Sequence, residues 1–199
     1  ADALDPPPDH VVGDPACARE PELAKAINVG ATRDLVRAAR DRDVGRFVFA
    51  STCSNYGKLD DPNAFATEDW PLRPVSLYAE TKVEAELDVL AQSADGFETC
   101  CLRLATVYGV SPRMRFDLTV NEFTRDVLLA GDLVVYGEQF WRPYVHVRDA
   151  AAAVLAVLEA PTEQVAGQVY NVGANEENYR KLDLVELLGE RMSTAEIQF

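Results

Sequence analysis

The sequence predicts an α/β protein with a largely parallel sheet. Two observations carry this. Helical and strand-like segments alternate along the chain, the order that builds a parallel sheet with helices over its faces. After about residue 107 the strands shorten and loops become prominent, as a second, smaller lobe would require.

The elements follow in order. Residues 21–44, "PELAKAINVGATRDLVRAARDRDV", read as a helix with Leu23, Ile27, Ala31, Leu35 and Ala38/Ala39 on an apolar stripe. "RFVFAS" (46–51) reads as a short buried strand, and residues 52–74, rich in Pro, Asn and Asp, as a long loop. A second clear helix spans 76 to about 94. "ETCCLRLATVYG" (98–109) reads as one strand. "DLTVNEFTRDVLLAG" is helical, with Gly131 as its C-cap. "LVVYG" and "PYVHV" are short strands, and "RDAAAAVLAVLEA" is a helix stopped by Pro161. "GQVYNVG" is a strand, "KLDLVELLGERM" a last helix, and "AEIQF" begins another strand.

Composition narrows the partners. The 33 acidic and 19 basic residues give a net charge of -14, a field that repels a phosphate-rich polymer, so nucleic acid is not expected as a partner. A small phosphorylated ligand stays compatible, because a few local arginines can bind it. No apolar run is long enough to span a bilayer, and "ADALDPPPDH" has neither the basic nor the apolar region of a signal peptide, so no membrane is expected. Four cysteines at this length make no disulfide framework, and neither a CxxC nor a His/Cys cluster suggests a metal. The expectation is reduced thiols and a cytoplasmic protein.

"PVSLYAETKVEAE" (74–86) sets Tyr78 and Lys82 four apart at the start of a helix, one turn apart on one face. A phenol beside an ammonium is a proton-transfer pair. Ahead of it, "FVFASTCSNYG" (47–57) ends a buried strand in Ser51, Thr52 and Ser54, with Cys53 among them. Strand ends of this kind face the crevice where α/β sheets take ligands. Strand-end hydroxyls followed by Tyr-x-x-x-Lys are far more specific than either element alone.

These segments resemble the extended short-chain dehydrogenase/reductases, the NAD-dependent epimerases and dehydratases of nucleotide-sugars. "NVGAT" (28–32) is similar to the family's Asn-x-x-Gly-Thr helix at Asn28 and Thr32, with Gly and Ala shifted. "LRLATVYG" resembles its Leu-Arg-x-x-Asn-x-x-Gly strand, with Thr106 in place of Asn. "WRPYVHVRDAA" and "YNVG" (170–173) also match, and the likeness covers most of residues 10–192.

The resemblance implies a Rossmann-like parallel sheet, incomplete at its N-terminal side, with a smaller C-terminal substrate-binding lobe. Residues 1–107 would be the remainder of the dinucleotide-binding domain and 108–199 mainly the substrate lobe, with 144–160 returning to the first. It implies NAD as cofactor, with NADP not excluded, contacted by Tyr78, Lys82, Asn28, Ser51 and Val107. Tyr78 would be the general base, Lys82 would favour its phenolate and hold the nicotinamide ribose, and Thr52 would hydrogen-bond the reacting oxygen. Cys53 would aid catalysis if the reaction were an elimination. Thr52, Ser54, Thr106, Asn121 and Arg142 would contact a nucleotide-diphosphate sugar, Arg142 through its diphosphate.

Plainer readings stand beside these. Ser51 and Ser54 suit turn capping, Cys53 a small buried hydrophobe, Asn28 a backbone partner, Arg142 a surface ion pair and His146 a structural strand residue.

The family's opening glycine-rich turn and its ribose-reading acid do not occur in these residues. The favoured expectation is therefore the ordered part of a longer chain; a fragment or a truncated homologue are the alternatives. Within the family, 4,6-dehydratases resemble Thr-Asp-Glu where this chain has Thr52-Cys53-Ser54. That disfavours ordinary dehydration and leaves a 4-epimerase as the leading expectation. A dehydratase using Cys53 or a decarboxylase is the alternative, and a non-catalytic sugar-nucleotide binding protein the alternative of another class. A homodimer through helices 20–40 and 76–94 is expected.

Overall fold

The computed structural model describes residues 13–61, 64–129, 132–191 and 196–198. The elements run α1 (Asp14–Arg19), α2 (Pro21–Lys25), a π-helical turn (Ala26–Ala31), α3 (Thr32–Arg40), β1 (Arg46–Thr52), a 3-10 turn (Cys53–Tyr56), α4 (Leu77–Leu90), β2 (Glu98–Leu104), β3 (Thr106–Tyr108), α5 (Thr119–Leu129), β4 (Asp132–Val134), β5 (Trp141–His146), α6 (Val147–Glu159), α7 (Thr162–Val165), β6 (Gln168–Val172), a 3-10 turn (Asn175–Glu177), β7 (Asn178–Arg180), α8 (Lys181–Arg191) and β8 (Glu196–Gln198). No helix among the described residues is long and apolar enough to cross a membrane.

The chain divides into two compact units. The first runs to Arg103 and resumes over Ala156–Asn171. Its sheet has the order β1-β2-β6. β1 reaches its neighbour β2 through α4, and β2 reaches β6 through a connection that contains α6 and α7, the crossovers that parallel neighbours need. β2 is buried from Thr99 to Arg103 without alternation, which fits a strand covered on both faces. Val36, Phe49, Ala85, Val89, Phe97 and Cys101 form the core, where each fully buried Val or Phe is worth about 1.5–3 kcal/mol. α4 starts at Ser76, whose hydroxyl accepts from the Ala79 N–H and satisfies one of the donors that a helix start leaves open.

The helix expected over 21–44 differs in two ways. It runs through a π-helical turn and ends at Arg40, and its buried face is Ala24, Asn28, Val29, Thr32 and Val36; of the expected stripe, Leu23, Ala31 and Leu35 are exposed while Ile27, Ala38 and Ala39 are half-buried. Leu23 and Leu35 are 44% and 60% exposed. The face with small residues is the one turned inward, and α4 packs there.

The second unit comprises Leu104–Leu155 and the chain from Val172 onward. β3 runs parallel to β5, pairing Thr106 with Tyr144 and Tyr108 with His146. β7 is antiparallel to β5, and β4 pairs in parallel with β8, so the strand expected at "AEIQF" is present. Phe123, Val127, Leu133, Val135, Tyr144, Leu184 and Val185 form its core.

The single strand expected over 98–109 is two strands. Ala105 donates its N–H to the Val172 carbonyl, and from Thr106 the chain pairs with β5 instead. The apolar run carried no mark of this change of partner. The C-cap assigned to Gly131 lies outside the described residues.

Candidate active site

β1 delivers the hydroxyl cluster. Thr52 ends the strand in extended conformation and caps the following 3-10 turn, its Oγ1 accepting from the Ser54 N–H at 3.2 Å. That bond leaves the Thr52 hydroxyl proton available as a donor, and the residue is 8% exposed. Cys53 and Ser54 lie half-buried in the turn. Gly57 closes it at φ +68°, where an added Cβ would stand 1.9 Å from the Arg73 carbonyl oxygen. Glycine is required there by both the backbone angle and the close approach.

α4 carries the second part. Tyr78, Lys82 and Glu86 follow at one-turn intervals along one face. Tyr78 packs against the cluster of Cys17 and Ala24, with Ile27 and Leu77. Lys82 is 7% exposed, and its Nζ rests 4.4 Å from the centroid of the Phe49 ring. Burial pushes its ammonium down to about 8, against the opposing pull of Cys101, Glu86 and Cys17. Among the described residues it has no hydrogen-bond or ion-pair partner. A buried cation with three donors uncommitted to protein suits hydroxyl oxygens of a bound ligand.

Beneath these lies a buried polar network. Glu86 is 1% exposed and Arg103 5%. Arg103 Nη2 donates to Glu86 Oε1 at 2.6 Å, and its Nε lies 3.1 and 3.2 Å from the two carboxylate oxygens. Ser51 Oγ donates to Glu86 Oε2 at 2.5 Å, and Asn55 Nδ2 donates to the same oxygen and to Ser51 Oγ. Arg103 Nη1 donates to the Tyr56 hydroxyl and the Glu68 carbonyl. Tyr56 in turn donates to Asn171 Oδ1 at 2.6 Å. Burial raises the Tyr56 pKa, with Arg103 pulling the other way, so the phenol stays a neutral donor.

Asn28 sits in the π-helical turn, 2% exposed, and its Nδ2 donates to Thr81 Oγ1 at 3.2 Å. It thus ties that turn to α4 between Tyr78 and Lys82. The thiols of Cys100 and Cys101 are buried and raised, Cys100 to about 11, so both are protonated spectators.

In the second unit, Val107 and Asn121 line one cavity of about 170 Å3 with Tyr108, Arg113, Arg115 and Leu118. That is less than the ~300–1,000 Å3 that encloses a whole drug-sized ligand, so it would take part of one. Asn121 Oδ1 accepts from the Gly109 N–H and its Nδ2 donates to the Arg115 carbonyl, so it braces the two walls. Gly109 has φ +115°, and a Cβ there would meet His146 Nε2 at 2.6 Å. His146 stacks edge-on with Tyr108 at 5.4 Å. Thr106 and Arg142 lie outside the cavity lining, Thr106 half-buried in β3 and Arg142 exposed in β5 without an ion pair among the described residues.

The structure therefore joins Thr52 to Ser54, Asn28 to α4, and Val107 to Asn121 in one wall. Sequence reasoning gave no role to Glu86 or Arg113, and none to Arg103, which it met only as the arginine of the matched Leu-Arg strand. The signal for Glu86 and Arg103 was present: an acid in step with Tyr78 and Lys82 on a buried helix face, and an arginine inside the apolar run "CCLRL".

The family described as "NAD dependent epimerase/dehydratase family" matches residues 10–173. The uncharacterized UDP-glucose epimerase YtcB of Bacillus subtilis is 31% identical over 173 residues, 85% of this chain and 52% of that protein. A dTDP-glucose 4,6-dehydratase of Actinoplanes is 32% identical over 165 residues, 82% of this chain and 49% of that protein. MoeE5, solved with UDP-glucuronic acid and NAD, superposes with a TM-score of 0.84 at 27% identity, over 95% of this chain and 62% of that one. The chain thus spans about half the length of these curated relatives.

Proposed function

The chain belongs to the NAD dependent epimerase/dehydratase family, and on that premise we propose that the protein carrying it modifies a nucleotide-diphosphate sugar by transient oxidation, as a 4-epimerase. The observation that carries this is Lys82, a buried ammonium one helical turn from Tyr78 on α4, a helix packed against the strand that ends in the Thr52 hydroxyl.

Each residue has one task. Tyr78 takes the proton of the sugar hydroxyl. A phenol with a pKa near ~10 is a poor base at neutral pH, and the Lys82 charge, at a Cβ spacing of about 5–6 Å, favours its phenolate. Thr52 donates to the reacting oxygen. The uncommitted Lys82 donors fit the ribose hydroxyls of NAD or NADP, with Asn28 fixing the helix that presents them. Bound there, NAD or NADP would supply the hydride-accepting and hydride-returning chemistry for the carbon that loses its proton to Tyr78 at the attached hydroxyl. In the second unit Asn121 shapes the substrate wall, and Arg113 joins Arg142 as a diphosphate ligand. Thr106, Val107 and Ser54 remain contacts proposed from the family pattern. The first unit would then be the remainder of the dinucleotide-binding domain, and the second the substrate lobe.

Cys53-Ser54 supplies no carboxyl acid for eliminating water, which favours epimerisation over dehydration. A dehydratase or decarboxylase is the second reading, supported by the Actinoplanes relative. UDP is the first nucleotide to try, followed by dTDP, GDP and CDP. Four free cysteines accord with a reducing, cytoplasmic setting. Leu23, Leu35 and Leu87, 44%, 60% and 58% exposed, would be the apolar contacts of a homodimer through the 20–40 and 76–94 helices. Leu35→Arg should then yield monomers in sedimentation.

The test is turnover. The full-length protein, given NAD and UDP-glucose, should invert C4 in an NMR assay. Absence of turnover across UDP-, dTDP-, GDP- and CDP-sugars would refute the reading.

A further inference from the structure

The buried polar assembly around Glu86 and Arg103 in the first unit is not used by the chemistry above. Glu86 is the residue on which it converges. Its carboxylate meets donors alone: Ser51 from the end of β1, Asn55 from the 3-10 turn, and Arg103 from β2. Arg103 extends the link to Tyr56 and to the Glu68 carbonyl of the covering loop. One carboxylate thus joins α4, β1, β2 and two connecting segments.

Its place in the sequence gives the assembly its meaning. Glu86 lies one turn beyond Lys82 and two beyond Tyr78 on α4. Ser51, its partner at 2.5 Å, immediately precedes Thr52. The Glu86–Ser51 hydrogen bond is therefore the direct tie between the helix that bears the phenol and ammonium and the strand that bears the hydroxyl. Stability alone gives little reason for it, since well-packed apolar side chains replace buried ion pairs at little or no loss. What an ion pair with directed hydrogen bonds adds is a single register.

We propose that Glu86 is a positioning residue, which holds Thr52 in register with Tyr78 and Lys82 through Ser51, and is itself oriented by Arg103. At 1% exposure, with both carboxylate oxygens accepting from protein donors, Glu86 acts through its neighbours. The inference rests on the proposed sugar oxidation for its catalytic part and on the hydrogen bonds for its structural part.

Ser51→Ala tests it with the gentlest change, because the Glu86–Arg103 pair stays whole. In the full-length protein two readouts are taken. Amide hydrogen exchange over residues 51–57 should quicken by about tenfold while that of 98–104 is unchanged, which reads the tie itself. With a turned-over nucleotide-sugar, kcat should fall about tenfold while KM for sugar and for NAD stays within about twofold. Glu86→Gln should lose at least as much, because its amide N–H would face donors, and Ser51→Ala should then cost nothing further in the double variant. Wild-type exchange in Ser51→Ala overturns the proposal whatever the activity. Quickened exchange with wild-type kcat overturns it too. A raised KM for NAD at constant kcat would make Ser51 a cofactor contact instead. If the wild type turns over no nucleotide-sugar, the sugar-oxidation reading fails, and the exchange result alone decides whether the tie exists.

Discussion

Arg103 and Arg113 put one side chain to two opposite uses. Arg103, 5% exposed, donates from all three of its nitrogens to Glu86, Tyr56 and the Glu68 carbonyl. Arg113 is exposed at a cavity edge in the second unit, and its guanidinium has no partner among the described residues. The same contrast holds around them. The first unit spends its polar groups on one another around Glu86. The second offers loops, a partial cavity and charges at its rim, such as Arg115 paired with Asp117 at 2.6 Å. Fixed geometry suits a reaction step, and available charge suits recognition of a ligand that varies between relatives.

The contrast can be broken by substitution. Tyr78→Phe removes the proposed base and should lower kcat by about 10²–10⁴-fold in a steady-state assay. Arg103→Met leaves the Glu86 carboxylate buried and unpaired, and should cost about 3–5 kcal/mol in urea unfolding. Arg33, half-buried and paired with Asp88 and Glu84, should on change to Ala shift the urea midpoint far less than Arg103→Met does, because solvent screens its ion pairs.

Lys82 gives a pH test. Its folded-state pKa, about 8, lies below the ordinary lysine value of 10.5, so between these values the unfolded chain holds a proton that the folded one has lost. Its contribution to stability therefore rises with pH through this window, and the cost of burying the charge is felt in full below it. Lys82→Met should be more stable than wild type by a few kcal/mol at neutral pH, with the gap closing toward about pH 10. A constant gap would mean that the ammonium is not desolvated. Arg113→Ala should act most mildly, raising KM for the nucleotide-sugar about tenfold with kcat held, as loss of one charge-assisted contact does.

Much of this was legible in the sequence, for identifiable reasons. The alternation of elements, the strand-end hydroxyls and the Tyr78–Lys82 spacing are local patterns, and local patterns survive without coordinates. Three things depended on partners distant in the chain. The face of α2 and α3 that packs against α4 carries Ala24 and Val36 and leaves Leu23 and Leu35 exposed, and a helical period alone does not say which face a distant helix will cover. The change of strand at Ala105 depended on Val172, far along the chain. Arg103 matched a motif in an apolar strand, and its role showed only when Glu86, 17 residues earlier, met it.

The central claim is that the Thr52–Tyr78–Lys82 array oxidises and re-reduces a sugar carbon. The most direct measurement is NMR of UDP-glucose labelled with deuterium at C4, incubated with the full-length protein and NAD. The account predicts inversion at C4 with the deuterium kept on that carbon, since the hydride leaves and returns within one active site. Conversion with deuterium lost to solvent, or no conversion of any nucleotide-sugar supplied, would contradict it.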